Sequence, residues 1–164
     1  MRHRVLVAIG VVTIVALAGL AMTPVMLVAV TAEDDRAMVC ERIGRDSTIA
    51  LTFTHSMYGG DVTETYQPTV SGTLLRASVV TDNAAAAEYY AWDGRVEPVG
   101  ERFEVVVPDR AFAAIPVRVD QIGAHRLTID GQTLDLAAMV DGSEGVRLAL
   151  VTRPLATQVL GMGC

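Results

Sequence analysis

Residues 49–54 read Ile-Ala-Leu-Thr-Phe-Thr, and this short run indicates the fold class of the chain. Its first, third and fifth residues are large and apolar, while those between them are small or polar. Alternation with a period of two, in β-branched and aromatic residues, is typical of a half-buried strand. After Gly59-Gly60, a second alternating run covers residues 62–66. The two runs and the short glycine-rich connection predict a β-hairpin.

Six further alternating segments, bounded by turn residues, extend this pattern along the chain. They are marked by Leu75, Ala77 and Val79; by Phe103, Val105 and Val107; by Ile115, Val117 and Val119; by Leu127 and Ile129; by Thr133, Leu134 and Leu136; and by Val146, Leu148 and Leu150. About seven to nine short strands, with turns roughly every 8–12 residues, predict an all-β fold. A small antiparallel sandwich and a small antiparallel barrel both fit this pattern.

The turns and the single predicted helix complete this pattern. Asp130-Gly131 is the strongest two-residue hairpin signal, and Asp93-Gly94 predicts another tight turn. Residues 82–90, which begin with possible capping residues and contain four alanines, predict a helix of two turns at most. The charged residues 33–46 are predicted to connect this β domain to the segment before it.

The amino-terminal segment has a different character. Residues 5–30 contain no charged residue, and a helix needs about 20 apolar residues to cross a bilayer. Arg2 and Arg4 precede the run, and acidic residues follow it, which favours a cytoplasmic amino terminus. We therefore predict that residues 1–32 form one transmembrane helix, kinked near Pro24, that anchors the chain in the cytoplasmic membrane.

A cleaved signal peptide is the alternative interpretation of this segment. Val30-Thr31-Ala32 offers small residues where signal peptidases cut, so the domain would then be secreted. The apolar run is long for a signal peptide, which favours the uncleaved anchor. Both interpretations place residues 33–164 outside the cytoplasm as an extracytoplasmic β domain.

Length, charge and motif content exclude several classes of function. The 164 residues suffice for one domain. The 13 basic residues are all Arg, and 19 acidic residues outnumber them, which gives a net charge of −6. Such a chain repels a polyanion, so no nucleic-acid partner is predicted. Cys-x-x-Cys, His-x-x-x-His and nucleotide-binding motifs are missing, so we predict no metal and no cofactor.

The densest polar cluster lies in the first hairpin and contains His55, Ser56, Tyr58, Glu64 and Tyr66. His55 is expected to hydrogen-bond across the hairpin to Glu64 or to the backbone, or to bind a ligand. A third interpretation makes it a general base that activates Ser56. Neighbouring strand residues point to opposite faces, and no Gly-x-Ser-x-Gly motif is present. We therefore assign no catalytic residue.

Two other sets of residues are candidates for a role. The aromatic residues Tyr89, Tyr90 and Trp92 lie close together in the sequence and are expected to line a ligand groove or to cap the core or an interface. Cys40 and Cys164, the only cysteines, form a disulfide, remain free thiols or pair with another chain.

Residues 51–56, Leu-Thr-Phe-Thr-His-Ser, followed by Val-Thr-Glu-Thr-Tyr at 62–66, resemble the opening hairpin of the DUF1850 family. The resemblance covers most of residues 38–153. Many members carry a glycine-rich segment after the third strand, where this chain has residues 83–90 instead. The resemblance implies no established activity. It does imply gene neighbours that encode TRAP transporters of the TAXI type, and hence a transporter subunit or solute-binding protein as partner.

Three hypotheses of function follow. The first is a membrane-anchored interaction or accessory module, linked to a TAXI-type importer by the family resemblance. The second is a binding protein for a small anionic ligand, with Tyr89, Tyr90, Trp92 and Arg side chains in its groove. The third is a hydrolase that uses the hairpin residues His55 and Ser56 with Glu64.

Overall fold

The computed structural model describes residues 13–14, 18–92, 94–106, 108–159 and 164. Its strands form two antiparallel sheets, which confirms the predicted all-β class and favours the sandwich over the barrel. In chain order the strands are β1 (Pro24–Ala32), β2 (Ala37–Ile43), β3 (Ile49–Thr54), β4 (Asp61–Pro68), β5 (Leu74–Thr81), β6 (Arg95–Val99), β7 (Arg102–Val106), β8 (Arg110–Phe112), β9 (Ala114–Asp120), β10 (Arg126–Ile129), β11 (Gln132–Asp135) and β12 (Ser143–Pro154). The helices are α1 (Ala84–Tyr90) and α2 (Leu155–Val159), with a 3-10 turn at Ala137–Met139.

The two sheets differ in width. The smaller has four strands in the order β2-β1-β12-β9. The larger has eight, in the order β11-β10-β3-β4-β5-β7-β6, with β8 also paired to β5. The predicted hairpin is present as β3 and β4, which pair from Ile49 with Tyr66 to Thr54 with Asp61. The Asp130-Gly131 turn joins β10 to β11, and both of its residues have positive φ angles, as this tight hairpin requires.

Strand β1 corrects the sequence-based assignment of the amino-terminal segment. Pro24–Ala32 was predicted as the end of a membrane helix, but it pairs along its length with β12 and also with β2. Residues 27–30 are consecutive and all buried, so both faces of this inner strand are covered. Such a strand has a continuous apolar sequence that periodicity alone cannot distinguish from a helix. The described fold therefore includes residues 24–32, which the predicted domain left out.

Of the rest of the predicted membrane segment, the structure describes only residues 13–14 and 18–23. Residues 1–12 and 15–17 lie outside the described part of the chain, as do Asp93 and Val107 of the predicted turn and strand. Within the described part, no helix is both long enough and apolar enough to cross a membrane. The predicted connector at residues 33–46 also needs correction, because it contains β2 at the edge of the smaller sheet.

The main core lies between the two sheets and continues under α1. Buried residues of β1, β2, β9 and β12 form one cluster with buried residues of β3, β4, β5 and β10. A second cluster joins Val62, Val79 and Val105 of the larger sheet to Ala86 and Ala87 of α1. The helix thus covers the part of the wide sheet that the narrow sheet does not reach.

Helix α1 confirms the helix predicted at residues 82–90. The Asn83 side chain accepts hydrogen bonds from the backbone N–H groups of Ala85 and Ala86, which is the usual capping arrangement. The amide of Asn83 also donates to the Tyr58 carbonyl at 2.9 Å. This second bond fixes the start of the helix to the loop that follows β3.

The chain end is attached to the smaller sheet. Cys40 of β2 and Cys164 form a disulfide, with their Cα atoms 5.7 Å apart. The bond closes a loop across a sequence separation of 124 residues, which spans nearly all of the described fold.

Candidate functional site

A cavity of about 540 Å³ lies where the edge strand β9, the middle of the larger sheet and helix α1 meet. The smaller sheet and α1 both cover the larger sheet, and the cavity is the gap between them. Its apolar lining includes Leu51, Phe53 and Phe112. Its ionisable and hydroxyl-bearing lining residues are Thr54, His55, Ser56, Glu64, Tyr66, Arg76, Tyr89, Tyr90, Arg118, Asp120 and His125.

Glu64 and Tyr66 of β4 form a hydrogen-bonded pair in this cavity. The Tyr66 hydroxyl donates to Oε2 of Glu64. Burial raises the pKa of Glu64, and the Tyr66 hydrogen bond and the positive charge of Arg76 oppose that shift. Burial, and then the nearby charge of Glu64, raise the pKa of Tyr66, so its hydroxyl remains a proton donor. The pair places a carboxylate in a cavity with an aromatic wall.

Arg76 of β5 brings a positive charge to the same cavity. Its Nε atom is buried and has no hydrogen-bond partner among the described residues. Its guanidinium carbon lies 5.8 Å from the ring centre of Phe112, and that of Arg110 lies 5.1 Å from the same ring. Arg76 and Glu64 do not form an ion pair, although the charge of Arg76 acts on the pKa of Glu64. The cavity therefore contains two opposite charges that are not in direct contact.

A change of register explains why Arg76 faces inward. The sequence pattern placed Leu75 and Ala77 on the apolar face of this strand, but Leu74 is fully buried and Ala77 is exposed. Pairing with β4 shifts at this point, where Thr65 pairs with Ser78 and Tyr66 with Arg76. The irregularity gives two residues of β5 to one of β4, as in a β-bulge. As a result, the side chains in the first half of β5 point to the opposite face from the one that simple alternation predicts.

The hydrogen bonds of His55 decide its chemical role. Its Nδ1 atom accepts from the backbone N–H groups of Met57 at 3.2 Å and Tyr58 at 3.3 Å. The proton of the neutral ring is therefore on Nε2, and Nδ1 is not available as a base. These bonds run to the loop that directly follows β3. No bond from His55 to Glu64 is found among the described residues, although both side chains line the cavity.

Aromatic rings surround His55. Tyr58, Tyr89 and Tyr90 lie with their ring centres 5.0, 5.2 and 6.0 Å from that of His55. Tyr89 and Tyr90 come from the end of α1 and line the cavity. Trp92 is 89% exposed and lines an adjoining groove of about 510 Å³, together with Tyr89, Tyr90, Arg76 and Arg110. The predicted aromatic trio therefore meets in this groove, which shares Arg76, Tyr89 and Tyr90 with the cavity.

His125 is a cavity residue that the sequence did not single out as part of a site. It stacks on Phe53 with ring centres 5.4 Å apart and an interplanar angle of 18°. Its Nδ1 atom is buried without a partner among the described residues. Burial lowers the pKa of His125, and the nearby Asp120 opposes this effect. A Cβ atom on Gly123 would lie 2.2 Å from Cε1 of His125, so the ring needs a glycine there.

The described residues contain no group of three or more His, Cys, Asp or Glu side chains able to hold a metal ion.

The predicted hairpin cluster is largely assembled in the cavity, where His55, Ser56, Glu64 and Tyr66 meet. Tyr58 packs on His55 outside the lining. Arg76, Asp120 and His125 come from other strands and loops, and only the folded arrangement brings them to this hairpin.

Comparison with known families gives one match. A model described as a domain of unknown function, DUF1850, matches residues 49–136, which is more than half of the chain. The chain belongs to the DUF1850 family. The matched DUF1850 region runs from β3 to the end of β11 and contains most of the cavity, including His55, Glu64, Arg76 and His125. No curated protein and no solved structure matches the chain.

Proposed function

We propose that this DUF1850 domain binds a small solute through an anionic group, most simply a carboxylate, in the cavity between β9 and α1. The observation that carries the proposal is the guanidinium of Arg76, which lines the cavity and has no hydrogen-bond partner among the described residues. A buried donor without an acceptor destabilises the unliganded protein, and an acceptor on a ligand removes that cost. A guanidinium is also well shaped to bind a carboxylate with two donors.

The size and composition of the cavity support this proposal. Pockets for small molecules have volumes of roughly 300–1,000 Å³ and combine apolar walls with a few polar groups. A cavity of about 540 Å³, with the ring of Phe112 beside the positive groups of Arg76 and Arg110, falls within this class. The Nε2–H of His55 adds a further donor among the lining residues.

Location and partner are part of the same proposal. Disulfides persist in oxidising compartments, so the bond between Cys40 and Cys164 supports a place outside the cytoplasm. The apolar residues before Pro24, with Arg2 and Arg4 ahead of them, support attachment to the cytoplasmic membrane. The gene neighbourhood implied by the family resemblance makes a TAXI-type importer, or its solute-binding protein, the proposed partner.

Hydrolysis is not the function that the geometry favours. A serine nucleophile needs a base that can take its proton. Nδ1 of His55 already accepts two backbone N–H groups, and its other nitrogen carries the proton. His55 therefore has no free basic nitrogen that could take the proton of Ser56 in this arrangement.

The proposal is tested by thermal unfolding in the presence of a panel of small carboxylates. A ligand at about 100 times its Kd stabilises the native state by roughly 2.7 kcal/mol, which gives a clear rise in Tm. Arg76→Gln is expected to abolish this rise, whereas Arg95→Gln, which removes the same charge from exposed β6, leaves it intact. A panel that produces no rise in the wild-type protein contradicts the proposed function.

A further inference from the structure

Glu64 and Arg76 face the same cavity from the neighbouring strands β4 and β5, yet they do not neutralise each other. Opposite charges that leave water are normally paired and hydrogen-bonded, because an isolated buried charge is costly. No ion pair between these two side chains occurs among the described residues. They nevertheless lie close enough for the charge of Arg76 to act on Glu64. A ligand with one positive and one negative group would pair with both side chains from the space between them.

Each of the two side chains has unused hydrogen-bonding capacity. Within the described part of the chain, the hydrogen bond from Tyr66 to Oε2 is the only one that Glu64 makes. Its Oε1 atom is thus open to a donor. The Arg76 side chain also lines the cavity and makes no hydrogen bond within the described part of the chain. The cavity therefore contains an unused acceptor and unused donors.

Aromatic rings surround the acidic end. Tyr66 binds Glu64 directly, and the charge of Glu64 contributes to the raised pKa of Tyr90, which places that ring near the carboxylate. Aromatic faces attract cations, most strongly where water is excluded. A carboxylate beside tyrosine rings is a suitable site for an ammonium group. By contrast, a second carboxylate on the ligand would be repelled there.

We infer that the preferred solute is a zwitterion of amino-acid type, whose ammonium group binds Glu64 while its carboxylate binds Arg76. This inference rests on the proposed function and adds a requirement for the positive group. A simple carboxylate would leave Glu64 without a positive partner in the occupied cavity, and a simple amine would leave Arg76 without a negative one. Leaving a buried partner unpaired is what gives polar sites their strong selectivity.

The test uses titration calorimetry with matched sets of probes. L-alanine, L-leucine and L-phenylalanine are each compared with the corresponding 2-hydroxy acid and the corresponding decarboxylated amine. The wild-type protein is expected to bind at least one amino acid about tenfold or more tightly than both of its analogues. In Glu64→Gln the amino acid and its hydroxy acid are expected to bind alike. Arg76→Gln is expected to weaken both.

The outcomes separate this inference from the proposed function. If hydroxy acids bind the wild-type protein as tightly as amino acids do, the requirement for an ammonium group is wrong and the carboxylate site stands. If no probe binds, or if only the amines bind, the proposed function fails as well. Should Glu64→Gln not fold, the comparison of the three probe classes on the wild-type protein still decides. Arg95→Gln serves as the control for loss of one positive charge.

Discussion

The two sheets bury very different residues. In the four-stranded sheet, β1 is buried on both faces, and β2 is joined to Cys164 by a disulfide. The eight-stranded sheet places the half-buried Glu64 and Arg76 and the buried Tyr66 around the cavity beside β9. Buried polar groups that are only partly satisfied reduce stability. The apolar core that the smaller sheet forms with the larger one therefore offsets the cost of this incompletely paired polar site.

The largest expected effect comes from disrupting the inner strand of the smaller sheet. Val28 is fully buried, so Val28→Asp places a carboxylate between the sheets and is expected to prevent folding, with a cost above about 4 kcal/mol. Val99→Asp makes the same change at a half-exposed position of β6. Circular dichroism and urea titration measure both. Equal stability of the two variants would show that β1 is not part of the folded core.

Removal of the disulfide is expected to have the next largest effect. For a loop with a sequence separation of 124 residues, the chain-entropy model gives about 4–5 kcal/mol of stabilisation. The Cys40→Ser/Cys164→Ser double variant should lose this amount in urea titration. Reductant should lower the wild-type protein to the same midpoint and leave the double variant unchanged. If reductant leaves the urea midpoint of the wild-type protein unchanged, the disulfide is contradicted.

A smaller effect is expected where the smaller sheet meets the cavity. In Gly123→Ala the added Cβ atom collides with the His125 ring, which is itself stacked on Phe53. Overpacking of this kind costs about 1–3 kcal/mol. Gly44→Ala is the matched control, because its Cβ atom would meet only Ser47 Oγ, at 3.8 Å. If urea titration finds the two variants equally stable, the close approach of Gly123 to the ring is wrong.

The smallest expected effect is a pH dependence from His125. Burial lowers the pKa of this ring in the folded protein below the ordinary value of 6.5. The unfolded chain therefore binds the proton more readily, and stability falls as the pH drops below about 6.5. In His125→Gln this part of the slope should disappear. Urea titrations of both proteins between pH 7.5 and pH 5 (roughly spanning the histidine range) measure it, and parallel profiles would rule out a buried neutral His125.

Local sequence patterns predicted the elements whose neighbours lie close along the chain. Alternation was sufficient for the β3–β4 hairpin, and Asn83 with the alanines that follow was sufficient for α1. The inner strand β1 was missed because burial on both faces removes alternation. Strand β2 was missed because it is a charged edge strand.

The candidate site also contains some residues whose proximity followed from the sequence and others whose proximity did not. His55, Glu64 and Tyr66 share one hairpin, so their proximity followed from the sequence. Arg76 was missed because a register shift beside Tyr66 turns the first half of β5 over. His125 was missed because it directly precedes β10, and only the pairing of β10 with β3, which is distant in the sequence, brings its ring onto Phe53. Regular pairing along a hairpin follows from local alternation, whereas a register shift or the pairing of distant strands does not.

The most direct test of the binding site follows the Arg76 Nε–H group by nuclear magnetic resonance. The chain has no Lys and 13 Arg, so these side-chain signals form a small set that single substitutions can assign. Addition of the best-binding amino acid, or of the best carboxylate from the thermal panel, should shift the Arg76 signal and slow its exchange with water. The Arg95 signal should stay in place. An Arg76 signal that does not change while the ligand binds would place the binding site elsewhere and contradict the account.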